Sequence, residues 1–175
     1  MENQESTFKM ALKPGIIIGA ISIAISLLLW ATVSDLGMRQ NFGYVTWLVL
    51  AFLYHFYTKN YRENNLGGAL SYGQAFKFMF FITIVTSLMT VVYMYVLYSF
   101  IDPGMLDVIK DQAAEKLYQQ PNLTEEQIEK AIEMQSIWIN PTVITITGFF
   151  GSIFFGAILS LVVAIFVKKD VQIEE

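Results

Sequence analysis

The long uncharged stretches of this sequence contain one imidazole, His55, and it sits among Tyr54 and Tyr57. A proton switch or a ligand site needs partner groups around its imidazole; a lone histidine beside two phenols reads as a neutral, hydrogen-bonded side chain near a helix end. The turn at residues 61–68, Tyr-Arg-Glu-Asn-Asn-Leu-Gly-Gly, exposes backbone N–H groups ahead of a helix start, as phosphate-cradling turns do. It lacks the Gly-Lys-Ser/Thr ending of a P-loop and follows no strand, so it reads as a simple turn whose basic residues meet anionic lipid headgroups. Seven hydroxyls in apolar surroundings, Ser22, Ser26, Thr83, Thr86, Ser87, Thr145 and Thr147, would together suit the wall of a cavity between helices. Cysteine is absent, which excludes disulfides, iron–sulfur clusters and thiolate zinc sites. The sequence therefore nominates no catalytic residue, no cofactor and no metal site.

The elements that hold these groups are unusually apolar. Four stretches contain no Asp, Glu, Lys or Arg: residues 14–34, 40–58, 78–101 and 134–167. A helix rises about 1.5 Å per residue, so about 20 apolar residues cross the roughly 30 Å hydrocarbon layer of a bilayer. Hydrophobic residues make up 55% of the 175, charged residues only 15% against the roughly 25% of a soluble domain, and the mean hydropathy is +0.51. The fold class expected is all-α: an integral membrane four-helix bundle, with spans at about 14–34, 42–58, 72–101 and 142–167. A single membrane domain would take up residues 1–175. The first apolar run, residues 15–33, exceeds the 7–15 residues of a signal-peptide core and lacks a good small-x-small cleavage site, so it reads as a retained helix.

Local signals set the ends of these spans. Pro14 suits the first turn of a helix, which needs no proline N–H. A link of about eight residues makes spans one and two antiparallel neighbours. Ser71 and Gln74 fit a capping box at the start of span three, and Asp102-Pro103-Gly104 stops it. Residues 103–140 change character: eight of the fifteen acids lie between Asp102 and Glu133. Met105, Leu106, Ile109, Ala113 and Leu117 recur at helical spacing, Pro121-Asn122 interrupts, and Thr124 with Gln127 caps a second helix bearing Ile128, Ala131, Ile132 and Gln135. This insert reads as an acidic, extracytoplasmic helical hairpin whose apolar faces pack on each other and whose charges meet solvent. Asn122-Leu123-Thr124 matches a glycosylation sequon, which matters only in a eukaryotic secretory context. Asn140-Pro141 then opens span four.

Seven Lys and Arg residues lie in the N-terminal tail, the middle loop and the C-terminal tail, against four elsewhere, which places both termini and the middle loop on the cytoplasmic side by the positive-inside rule. No basic patch suits nucleic acid. The expected partner is the lipid bilayer, with a second copy of the chain or another membrane protein as candidates. In span four Gly148, Ser152, Gly156 and Ser160 recur every fourth residue, and span one repeats the spacing with Gly15 and Gly19. Small residues on one face let two helices approach closely in lipid. The stripes read either as packing of span four against span one or as a dimerisation face, and we favour the internal packing.

Tyr61-Arg62, Gly67-Gly68 and the run Leu70-Ser71-Tyr72-Gly73-Gln74-Ala75-Phe76-Lys77 resemble a family of small bacterial membrane proteins of unknown function, with a similarity that extends over residues 9–169. In that family a signature like Tyr72-Gly73-Gln74-Ala75-Phe76 opens the third of four spans and a variable helical insert precedes the fourth. The resemblance implies location in the inner (plasma) membrane and a four-span topology, and transfers no site. The function expected is that of a non-enzymatic membrane protein with a structural, assembly or accessory role; the alternative is a small transporter or lipid-handling protein built around the hydroxyls named above.

Overall fold

The computed structural model describes residues 2–169, and every regular element among them is helical: α1 (Glu2–Thr32), α2 (Leu36–Asn65), α3 (Tyr72–Val96), α4 (Met105–Tyr118), α5 (Glu125–Trp138) and α6 (Pro141–Val167). A π-helical turn, Leu97–Ile101, follows α3, and the Asp102 N–H closes it on the Leu97 carbonyl at 2.8 Å. Among the described residues three segments are long and apolar enough to cross a membrane: Thr7–Thr32, Tyr72–Ile101 and Pro141–Val167. Helix α2 has the length, at 30 residues, but Tyr44, Tyr54, His55 and Tyr57 dilute its apolar stretch, and it falls outside that group. The four expected spans are thus three of clear membrane character plus one amphiphilic helix.

Capping side chains set the helix ends. Asp35 accepts from the Met38 N–H at 2.6 Å to start α2, and Asn140 accepts from the Val143 N–H at 3.0 Å to start α6, with Pro141 in its first turn. At α3 the Ser71 hydroxyl accepts from the Gln74 N–H at 3.3 Å while the Gln74 amide oxygen accepts from the Ser71 N–H at 3.0 Å. Thr124 and Gln127 repeat that box at α5. The Arg39 guanidinium donates to the carbonyls of Trp30 and Val33, covering the C-terminal end of α1. Pro14 departs from expectation. It lies inside α1 rather than at its start, so the Met10 carbonyl loses its helical donor. Breaks of this kind persist in lipid-facing helices where neighbouring helices pack around them, and Pro14 is buried here.

The chain forms two units. The first comprises residues 2–90 and 151–169: α1, α2, most of α3 and the C-terminal part of α6. Its core joins Ile18, Tyr54, Leu70, Phe78, Met79, Ile82 and Val167, with Tyr61 stacked on Phe78 at 4.1 Å, parallel within 3°. Burial in this unit departs from the soluble pattern by adding buried hydroxyls to the apolar core and leaving large apolar side chains outside. Thr58, Thr83, Ser87 and Ser160 are buried, whereas Leu28, Leu48, Phe52, Leu88, Phe154 and Phe166 are exposed. An apolar exterior over a hydroxyl-bearing interior suits hydrocarbon, because in lipid a polar group outside finds no partner.

Two clasps hold the end of α6 in this unit. The Arg62 guanidinium donates to the Val167 carbonyl at 2.7 Å, and Leu70 and Lys169 exchange backbone hydrogen bonds of 2.8 and 2.9 Å. Glycine is required nearby: Gly67 and Gly68 have φ of +65° and +90°, which lets the Gly68 N–H return to the Arg62 carbonyl at 3.0 Å and end α2. One residue is poorly served. Thr58 is fully buried and its hydroxyl has no partner among the described residues. Replacing it with isosteric valine should remove that desolvation cost and raise stability by about 1 kcal/mol, read as a higher Tm in detergent micelles.

The second unit comprises residues 91–150. In it α4 and α5 form a hairpin around buried Leu106 and Ile128, with Ile109, Ala113, Leu117, Ala131 and Ile132 half-buried on the same faces. Its ion pairs, Lys110–Asp107 at 3.2 Å and Lys130–Glu126 at 2.7 Å, are exposed and decorate a solvated surface.

Candidate functional site

A cavity of about 250 Å³ lies within the first unit, walled by all four of its helices. Helical periodicity brings the hydroxyls together. On α3, Thr83, Thr86, Ser87 and Thr90 fall at spacings of three and four, so they share one face. On α2, Thr46, Leu50 and Tyr54 do the same at every fourth residue; Ser22 comes from α1, and Ser152 and Gly156 from α6.

Nearly every hydroxyl hydrogen in the wall is committed. The Tyr54 and Thr83 hydroxyls meet at 2.8 Å, and Thr83 donates on to the Met79 carbonyl at 3.0 Å, which leaves Tyr54 as donor in the pair. Thr86 donates to the Gly15 carbonyl at 3.1 Å, joining α3 to α1, and Ser152 donates to the Ser87 hydroxyl at 2.8 Å, joining α6 to α3. Ser22, Thr46 and Thr90 donate to carbonyls one turn back, at 2.8, 3.2 and 2.7 Å. Side chains bonded in this way present lone pairs and methyl groups inward. Among the described residues the lining holds no carboxylate, imidazole or ammonium group. The chemistry on offer is reception of a small, largely apolar guest with a weak donor, in a space just below the roughly 300–1,000 Å³ of ordinary ligand pockets.

Of the seven hydroxyls nominated from sequence, Ser22, Thr83, Thr86 and Ser87 line this cavity. Ser26 does not, and Thr145 and Thr147 belong to the second unit, where Thr147 donates to the Val143 carbonyl at 2.8 Å. Thr46, Tyr54 and Thr90 were missed, although the every-fourth spacing of Thr46, Leu50, Tyr54 and Thr58 was there to be read. His55 is half-buried on α2 and outside the lining.

The small-residue positions converge on α3, which corrects the expected pairing of span four with span one. A Cβ at Gly15 would lie 2.7 Å from the Val85 Cβ, and one at Gly19 would lie 2.7 Å from the Met89 Sδ. On α6, a Cβ at Gly156 would collide with the Thr83 methyl, while Ser152 bonds Ser87 and buried Ser160 donates to the Gly156 carbonyl at 2.7 Å. In the second unit a Cβ at Gly148 would make only ordinary contact with Met94 of α3, at 3.8 Å. Close approach is therefore used on both sides of one central helix, because α3 carries the β-branched and hydroxyl residues that these gaps accept.

In the signature at the start of α3, the Tyr72 hydroxyl donates to the Leu161 carbonyl at 3.2 Å, Gln74 completes the cap, Ala75 is fully buried and Phe76 stacks on Phe80 at 5.7 Å. Gly73 has open space around it. These residues anchor α3 against the end of α6 and lie outside the cavity lining.

No curated protein and no solved structure matches this chain. A family model does match, over residues 13–169, from the end of the N-terminal basic segment to the residue that bridges Leu70. With nearly all of its helical architecture covered, the chain belongs to the family described as protein of unknown function (DUF4199).

Proposed function

We propose that this protein is a non-enzymatic, four-span protein of the bacterial inner membrane that holds a lipid chain or similar small amphiphile between its helices. The cavity carries this reading: its hydroxyls are bonded within the protein and its outer surroundings are apolar. Helix α2 serves as the fourth span. Its uncharged segment buries Tyr54 against α3 while Leu48, Phe52 and Phe56 point outward. Lys9 and Lys13, the α2–α3 loop and Lys169 share one end of the first unit, and the positive-inside rule makes that end cytoplasmic. The acidic hairpin then faces outward. A role in assembly with a second copy or another membrane protein is the second reading; the engagement of Gly15, Gly19, Ser152 and Gly156 inside a single chain weighs against it.

The test is native mass spectrometry of the full chain released from lipid. The wild type should keep a small-molecule adduct, and Ser22→Leu with Thr46→Leu, which fill the cavity from its half-buried walls, should lose most of it while keeping the Tm. A wild-type chain with no adduct that persists as a dimer or with a protein partner would overturn lipid handling in favour of assembly.

A further inference from the structure

A second concave site lies at the end of the first unit that carries its basic residues. Helices α1 and α2 border a groove of about 420 Å³, with Lys9 and Lys13 on one rim and Asn60, Asn64 and Asn65 on the other. Lys9 and Lys13 are one turn apart and so project from one face of α1; Asn60 and Asn64 are likewise one turn apart on α2. Tyr57, Tyr61 and Phe78 form an aromatic floor, stiffened by the parallel stack of Tyr61 on Phe78.

The polar inventory of this groove is dominated by donors. Each ammonium offers three N–H bonds, and neither is paired with a carboxylate among the described side chains of residues 7–169. Asn64 donates one amide hydrogen to the Asn60 side-chain oxygen, and Asn65 donates one to the Met10 Sδ at 3.7 Å, which leaves amide hydrogens on all three for another acceptor. No carboxylate among the described residues lines the groove. Glu63, beside Asn64 in sequence, is taken up by Arg62 at 2.6 Å, which also holds its carboxyl below the usual range. A tetrahedral oxyanion satisfies two ammonium groups and several amides at once, and an apolar floor beside it suits whatever that anion is esterified to.

We propose that this groove binds a phosphate group, with Lys9 and Lys13 supplying the charge, the asparagines the directional bonds, and Tyr57 and Tyr61 the contact with the esterified portion. The source is either the headgroup of an anionic phospholipid or a free phosphate compound. The inference rests on the membrane reading and is independent of the cavity between the helices.

The experiment reconstitutes the full chain in phosphatidylcholine nanodiscs, with and without phosphatidic acid, and counts retained lipid by native mass spectrometry; insertion into the phosphatidylcholine discs separately tests the membrane reading. Phosphatidic acid should be retained over phosphatidylcholine, and Lys9→Gln with Lys13→Gln should weaken retention roughly 30-fold, the loss that two near-surface charges carry. Lys168→Gln with Lys169→Gln removes the same charge outside the groove and should change it little. Competition by millimolar inorganic phosphate would assign the site to a free phosphate compound, and indifference to it would assign the site to the headgroup. Equal losses in the two double variants, or none in the first, would overturn the proposal.

Discussion

Gly156→Ile should destabilise the protein by about 3 kcal/mol, at the upper end of overpacking costs, and lower its Tm in micelles accordingly. The first added carbon already collides with the Thr83 methyl and comes within 3.1 Å of its hydroxyl, and isoleucine adds three more. Thr83 has nowhere to go. It is buried, its oxygen receives Tyr54 at 2.8 Å, and its hydrogen is committed to the Met79 carbonyl, so turning its side chain breaks two buried hydrogen bonds to relieve one clash. Gly151 provides the control, because a Cβ there meets nothing within 4 Å. Gly151→Ala should be neutral or slightly stabilising, as alanine is the better helix former. Equal Tm values for the two variants would mean that α6 does not lie against α3 through Gly156.

Arg62→Ala should cost about 2–3 kcal/mol, the range for a lost hydrogen bond to a charged donor that strands a carbonyl. The guanidinium is only 12% exposed and reaches from α2 to the Val167 carbonyl, where the final turn of α6 has no helical donor left. Lysine should rescue only part of the loss, since a point charge cannot bond Val167 and Glu63 together as the planar fork does. The Arg62–Glu63 pair adds a pH signature. Arg62 lowers the Glu63 pKa below its ordinary value of 4.5, so the pair contributes stability that is present above that value and is lost as pH falls through the depressed one. Glu63 is exposed, so the effect is small; thermal denaturation between neutral pH and pH 3 should show it in the wild type and not in Glu63→Gln. An Arg62→Ala variant with unchanged Tm would show that the Val167 carbonyl does not depend on this contact.

Much of this fold is written in short-range chemistry. The boxes Ser71/Gln74 and Thr124/Gln127, the glycines that end α2 and the Asn140-Pro141 start of α6 are each decided by three or four neighbouring residues, and each is found in place. The apolar faces of α4 and α5 were legible for a related reason: in a helix bordered by water, periodicity marks the buried side. In α1, α3 and α6 both faces are apolar, so hydropathy carries no information about rotation about the helix axis. That is why the stripes of α1 and α6 were matched to each other rather than to α3, and why Ser26, Thr145 and Thr147 were grouped with hydroxyls they do not join. The better signal was the run Thr83, Thr86, Ser87 and Thr90, because a hydroxyl on an otherwise apolar helix turns inward wherever lipid lies outside. Pro14 misled for a different reason: its preference for a first turn is a rule of isolated helix starts, overridden here by packing.

The contacts made by α6 also impose an order on synthesis. The clasp on Val167 and the seat for Gly156 belong to helices that are synthesised before residues 102–167. At about 5–20 residues per second, those last residues take about 3–13 s to appear. Until α6 is in place, α3 carries an open furrow beside Thr83 and Ser87, and any apolar helix or acyl chain nearby competes for it.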